Sequence, residues 1–316
     1  MPKSVFLGNG NFAYVYTPEQ VAELKEIAGL DDRIVTGEDF AERDLADAEY
    51  IFSTWGLLKF TDAMFAGMPK LRAVFYAAGA TDGFARPFLE RGIRISSAWK
   101  ANAIPVAEFA TAQILLALKD YFRLIRATVS PAAWRERPTA PGIFGETVAL
   151  IGSGTISTLV GEMLRRHRIN VITVESFPER RTLSIEEAFR TAYVVSNHLF
   201  NTESSHGCIR KEHFLSMRPH ATFINTGRGQ QVDQEGFLEA MKARPDLTAL
   251  LDVTYPEPPE ADSELFRLPN VLMTPHIAGS INDEVHRMAE YVIDDFKRFL
   301  RGEPLRYEVT PEMLAR

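Results

Sequence analysis

Short apolar runs alternate with helix-period segments along the whole chain, and this alternation constrains the fold more than any other feature. It is the pattern of parallel strands joined by crossover helices, so the chain is expected to be an α/β protein. In the first hundred residues the runs Ser4–Leu7, Ile34–Val35, Tyr50–Ser53, Ala73–Tyr76 and Arg94–Ser97 read as strands, with helices over Pro18–Ala28 and Phe84–Arg91. A second series begins at Thr147, with strands at Val148–Ile151, Val171–Val174, Tyr193–Ser196, Thr222–Asn225, Thr248–Leu251 and Val271–Thr274. Six strands separated by crossovers describe a doubly wound sheet. Between the two series, Asn102–Thr128 reads as one unusually long apolar helix, and Ser130–Gly145, rich in Pro, Arg and Gly, reads as a loop. A final helical pattern, Asp283–Leu300, has no strand after it, and periodicity alone does not assign it to either sheet.

A length of 316 residues suits two domains, and 46% hydrophobic with 24% charged residues suits an ordinary globular protein. The net charge of -7 argues against a broad phosphate-binding surface, so no nucleic-acid partner is expected. The single cysteine, Cys208, can form neither an internal disulfide nor a cysteine zinc cluster, and no metal site is expected. Near the N-terminus only Val5-Phe6-Leu7 is apolar, short of a signal-peptide core of about 7 to 15 residues. The apolar stretch Ala103–Leu118 is interrupted by Pro105, Glu108 and Gln113 and reads as a buried helix rather than a membrane span. A cytoplasmic protein without a membrane partner is therefore expected.

The strand Val148–Ile151 runs directly into Gly152-Ser153-Gly154-Thr155-Ile156-Ser157, after which Leu159, Val160, Met163 and Leu164 recur at helical spacing. In such a strand, turn and helix, the first glycine permits the tight turn. The second lets the backbone approach a pyrophosphate at the positive end of the helix. The next strand ends at Val174 and is followed by Glu175, about 20 residues on, where a carboxylate would bind both ribose hydroxyls and repel a 2′-phosphate. NAD is therefore the expected cofactor, although Arg180 and Arg181 lie close enough to weaken the preference over NADP.

Ligands of an open α/β sheet bind beyond the carboxyl ends of its strands. Arg228 lies there within Thr226-Gly227-Arg228-Gly229, Asp252 follows Ala249-Leu250-Leu251, and His276 follows Leu272-Met273-Thr274-Pro275. Glu257, in the Pro-bounded loop Tyr255–Pro259, is positioned to meet His276. With a nicotinamide cofactor, the simplest chemistry is hydride transfer to a carbonyl carbon, His276 protonating the oxygen and Arg228 binding an adjacent carboxylate. The substrate would be a small 2-oxo acid or the corresponding 2-hydroxy acid.

At these residues the sequence resembles the D-isomer-specific 2-hydroxyacid dehydrogenase family. The resemblance includes Ala78–Asp82, Ala101–Glu108, the Gly152–Ser157 turn, Ile224–Gly229, Leu251–Pro258 and Thr274–Ser280. It implies two doubly wound parallel-sheet domains, a Rossmann-type NAD domain (101–282) inserted into a discontinuous flavodoxin-like substrate domain (1–100 plus 283–316). It implies that Arg228 orients the substrate, that His276 is the acid/base paired with Glu257, and that Asp252 contacts the nicotinamide carboxamide. The backbone around Gly79 and Ala80 would help hold the substrate carboxylate. Gly152, Ser153, Gly154, Thr155, Ile156, Glu175, Thr226 and Asp252 make up the expected cofactor site, and the Asn102 helix would serve a homodimer interface.

The sequence departs from the family at Ser157, in place of a third glycine, at Gly227, where a small side chain is usual, and at Trp99-Lys100, in place of Pro-Gly. Lys100 is either solvated or paired with a second acidic group of the substrate, and Trp55 and Tyr76 are either pocket residues or core. His198 reads as structural, near the cofactor edge. His167, His206, His213, His220 and His286 read as surface or packing residues, and Cys208 as buried or incidental rather than nucleophilic. The competing function on the same fold is an NAD(H)-sensing, corepressor-like interaction protein. A long partner-binding tail would favour that reading, and the chain carries almost nothing outside the two expected domains.

Overall fold

In a computed structural model the chain divides into two compact units, residues 1–103 with 280–316 and residues 104–279. The structure describes residues 3–135 and 140–314, so the two chain ends and part of the Ser130–Gly145 loop lie outside the described residues.

The first unit contains β1 (Ser4–Leu7), α1 (Phe12–Val15), α2 (Pro18–Ala28), β2 (Leu30–Val35), β3 (Tyr50–Ser53), α3 (Asp62–Gly67), β4 (Ala73–Tyr76), α4 (Ala85–Leu89) and β5 (Arg94–Ser97). The five strands form a parallel sheet in the order β2-β1-β3-β4-β5, the flavodoxin-like order. β2 begins at Leu30, before the expected Ile34, because this edge strand carries Asp31, Asp32 and Arg33 toward solvent and has little apolar signal. Helix α2 starts on a Thr17–Gln20 capping box with Pro18 in its first turn.

The second unit takes in the body of α5 (Trp99–Ala117), then α6 (Tyr121–Ala127), β6 (Thr147–Ile151), α7 (Thr155–Leu164), β7 (Asn170–Val174), α8 (Ile185–Thr191), β8 (Val194–Asn197), α9 (Lys211–Ser216), β9 (Thr222–Asn225), α10 (Gln234–Ala243), β10 (Thr248–Leu251) and β11 (Val271–Met273). Its six parallel strands are ordered β11-β10-β9-β8-β6-β7. The order reverses between β6 and β8, so the crevice at the carboxyl ends of these two strands is the place for a ligand. Among the described residues no strand flanks β7 on its outer side, and β7 is an edge.

The expected Asn102–Thr128 helix is two helices. The chain bends by 61° between α5 and α6, where Asp120 adopts a left-handed conformation (φ 61°). The periodicity continues across the break because both segments are apolar, but their burial differs. Ala107, Ala110, Ile114, Ala117 and Leu118 join the core with Val148, Leu150 and Val160, whereas no residue of α6 is fully buried.

The C-terminal elements α11 (Glu284–Leu300) and α12 (Pro311–Leu314) belong to the first unit. Along α11, Val285, Met288, Ala289, Val292, Ile293 and Phe296 recur on one face and are buried. Phe296 packs edge-on to Tyr50, Phe52 and Phe75, with ring centroids 5.1, 5.2 and 5.1 Å away. The opposite face of the same sheet is covered through Val5, Leu7, Ile51, Val74 and Ile95, which explains why these strands read as continuous apolar runs.

Candidate active site

The dinucleotide turn sits at the reversal point of the second sheet. Gly152 has φ +108°, and a Cβ there would lie 2.6 Å from the His198 carbonyl oxygen, so only glycine lets the turn pass this close to the end of β8. Gly154 is the N-cap of α7 and brings no side-chain cap, which leaves the first-turn N–H groups, including those of Thr155 and Ile156, to a ligand. Ser157 is buried within the first turn of α7 and fits as a small residue where a third glycine was expected. This open helix end fits the pyrophosphate of a dinucleotide, whose nicotinamide would supply or accept a hydride.

Beyond β7, Ser153 Oγ donates to Glu175 Oε2 at 2.6 Å, and Ser153 N donates to Ser176 Oγ at 2.9 Å. Arg181 donates to the carbonyl oxygens of Glu175 (Nε, 2.9 Å) and Ser176 (Nη2, 3.2 Å), and Arg180 stacks on the Phe177 ring at 4.9 Å. The two arginines that weakened the cofactor expectation thus make contacts within their own loop.

His198 is buried between β8 and the Thr226 turn, its ring nitrogens 2.9 Å from Ser196 Oγ and 3.2 Å from Thr226 Oγ1. Burial pushes its imidazole down to about 4, so it stays neutral and one nitrogen donates while the other accepts. Its place is structural, with its main chain forming one wall of the Gly152 turn.

Arg228 follows β9 and is partly buried, with Nη1 donating to the Gly227 carbonyl at 2.7 Å. A buried amide network that sequence reasoning missed sets its main chain. Gln231 Oε1 accepts from Arg228 N (3.0 Å) and Asn197 Nδ2 (2.7 Å), Asn197 Nδ2 also donates to Asn225 Oδ1 (2.9 Å), and Gln231 Nε2 donates to the carbonyls of Leu199 (3.0 Å) and Phe200 (2.9 Å). The available signal was that Asn197 and Asn225 close two neighbouring apolar strands, where they are register partners.

His276 follows β11 with φ 53°, and its Nδ1 donates to Glu257 Oε1 at 2.5 Å, both side chains being about half exposed. Asp252, buried at the end of β10, holds this segment: Oδ1 accepts from Thr274 Oγ1 (2.6 Å) and Ile277 N (2.9 Å), and Oδ2 from Ala278 N (2.9 Å). The carboxylate expected to meet nicotinamide is therefore engaged on both oxygens by its own chain. Arg228, Asp252, Glu257 and His276 all lie past strand ends of the second unit.

Gly79 and Ala80 follow β4 in the first unit. There Ser97 Oγ donates to the carbonyls of Ala78 and Gly79, both at 2.8 Å, and Asn102 packs beside Gly79 while its Oδ1 accepts from Ser280 N at 2.9 Å. Tyr76 is core, packed on Phe84 at 4.8 Å with burial pushing its phenol up to about 12. Trp55 is 40% exposed, and the Lys100 ammonium lies over the Trp99 and Tyr307 rings at 5.1 and 5.7 Å. Among the described residues no group of His, Cys, Asp and Glu is placed to hold a metal.

The fold and the turn define an NAD-binding protein with two parallel-sheet domains. The sequence model of the D-isomer specific 2-hydroxyacid dehydrogenase NAD-binding domain matches residues 112–278, and the chain belongs to this family. It is 30% identical over 230 residues to D-3-phosphoglycerate dehydrogenase of Archaeoglobus fulgidus, covering 70% of this chain and 43% of that relative, so it spans less than half of the larger protein. Identity to glyoxylate reductase of Korarchaeum cryptofilum is 28% over 253 residues, 76% of each chain. Among solved structures, D-mandelate dehydrogenase of Rhodotorula graminis superposes with a TM-score of 0.80 at 20% identity, covering 98% of this chain and 97% of that one. A family member from Xanthobacter autotrophicus, in complex with NADPH and MES, superposes with a TM-score of 0.77 at 22% identity over 98% of each chain.

Proposed function

We propose that the chain interconverts a small 2-oxo acid and its D-2-hydroxy acid by NAD-dependent hydride transfer, with His276 as acid/base. The 2.5 Å contact between His276 and Glu257, in the unit that carries the dinucleotide turn, supports this reading most directly. NADH, when bound, would supply the hydride in the reductive direction. As charge grows on the carbonyl oxygen, the His276 imidazolium delivers the proton from Nε2 while Nδ1–H stays on Glu257. In oxidation the same bond keeps the proton on Nδ1, so that Nε2 is the base. Arg228 binds the substrate carboxylate and strengthens its hold as oxyanion charge develops. Gly79 and Ala80 are the substrate-contact candidates of the first unit.

The test follows NADH absorbance with a panel of 2-oxo acids, for the wild type and His276→Ala. The substitution should lower kcat by about 10² or more and leave NADH binding nearly intact. Full turnover by His276→Ala on the best substrate would place the acid/base elsewhere.

We also propose a homodimer, through the second unit. Ile125, Val129, Trp134 and Phe144 of that unit are 57, 83, 79 and 77% exposed and are the apolar side chains such a partner would cover.

A further inference from the structure

We propose that Ser153 is a specificity-determining residue that holds Glu175 in place to read an unphosphorylated ribose and reject a 2′-phosphate. The inference rests on the NAD reading of the turn and concerns what aims its carboxylate.

Glu175 stands just past β7, the edge of its sheet, and ten residues separate β7 from α8. With no strand beyond β7 among the described residues, nothing in the sheet itself sets the course of this loop on its outer side. Ser153 takes over that task from the inner side. It lies between the two glycines of the turn, and its side chain crosses to the end of the neighbouring strand. Its hydroxyl donates to Glu175 Oε2 at 2.6 Å and accepts from Ser176 N at 3.3 Å, while its own N–H donates to Ser176 Oγ at 2.9 Å. These reciprocal bonds tie residues 175 and 176 to the phosphate-binding turn itself, and Arg181 fastens the same two residues through their carbonyls.

The consequence is preorganisation. A free glutamate after an edge strand would have to surrender side-chain freedom each time a cofactor bound, whereas this one is already held. Among the described residues Oε1 accepts no hydrogen bond, which leaves it for the ribose diol, and the carboxylate would repel a 2′-phosphate there, a repulsive element beside the attractive one. Arg181 keeps its positive charge, but its hydrogen bonds run to the Glu175 and Ser176 carbonyl oxygens and not to the Glu175 carboxylate, which Ser153 holds.

The experiment measures binding of NADH and NADPH, by nicotinamide fluorescence or calorimetry, to the wild type, Ser153→Ala, Glu175→Gln and the double variant. Ser153→Ala should weaken NADH about five- to tenfold and leave NADPH within about twofold, lowering the NADH-to-NADPH preference by the same factor. In the Glu175→Gln background the added Ser153→Ala change should have almost no effect on NADH, because Ser153 acts through Glu175. Three results would overturn the proposal: unchanged NADH binding by Ser153→Ala, equal losses for both cofactors, or a loss that persists undiminished in the double variant. If Glu175→Gln weakens NADH and Ser153→Ala does not, the ribose reading stands and only the role of Ser153 fails. If Glu175→Gln binds both cofactors like the wild type, the ribose reading itself fails.

Discussion

Gly227→Ala tests whether the amide network beneath Arg228 sets the site. The new Cβ would lie 2.6 Å from Gln231 Oε1 and 2.8 Å from Asn197 Nδ2, both on fully buried side chains. Neither amide can yield easily. Gln231 is tied at its other end to the Leu199 and Phe200 carbonyls, and Asn197 is tied to Asn225. The methyl group must break the Asn197–Gln231 bond or push Gln231 away from Arg228 N, and each buried polar group left without its partner costs about 1–3 kcal/mol. With two such groups at stake, the loss of stability should be roughly 2–6 kcal/mol, or a Tm lower by on the order of 5–20 °C. Because Gln231 Oε1 accepts the Arg228 N–H, the same displacement should move the arginine and lower kcat/KM for the best 2-oxo acid by about tenfold or more. Thermal unfolding by calorimetry and steady-state kinetics on the same preparation give both readings. A variant with wild-type Tm and wild-type kcat/KM would show that the network relaxes freely and does not position Arg228.

Arg228→Lys should raise KM and lower kcat together in steady-state assays, since an ammonium cannot reproduce the fork of a guanidinium on a carboxylate. For His198, the folded-state value of about 4 lies below the ordinary 6.5, so the unfolded chain binds the extra proton first as pH falls. Stability carried by neutral His198 is thus complete above about 6.5 and lost as pH drops toward about 4, roughly 3 kcal/mol in all. Denaturant unfolding of the wild type across that window should show this extra slope, and His198→Asn should lack it. Light scattering in the micromolar range should give a dimer mass, and Ile125→Glu should shift it to the monomer; a monomeric wild type would refute the proposed interface.

Periodicity determined most of the framework. Tyr50–Ser53, Ala73–Tyr76, Arg94–Ser97, Thr222–Asn225 and Thr248–Leu251 are strands with the bounds their apolar runs suggest, because each is buried throughout or nearly so and flanked by turn residues. The Gly152 turn was legible for a related reason: a backbone that passes this close to the His198 carbonyl demands glycine, a residue type that stands out in any sequence. What the sequence could not specify is what depends on partners distant along the chain. The break before α6 follows from which apolar residues find a core, a fact that helical spacing does not carry. The edge position of β7 emerges only from the order of strands in the sheet. Gln231, Asn197 and Asn225 are ordinary polar residues until two strand ends and the turn after β9 bring their amides within hydrogen-bonding distance. Asp252 illustrates the same division: its place after β10 marked it as a site residue, but its three donors come from Thr274, Ile277 and Ala278, and only the folded chain shows that both oxygens are already in use. Local pattern records how much surface a segment must bury, whereas the pairing of one polar atom with another is settled by tertiary geometry, where an unpaired group costs too much to leave alone.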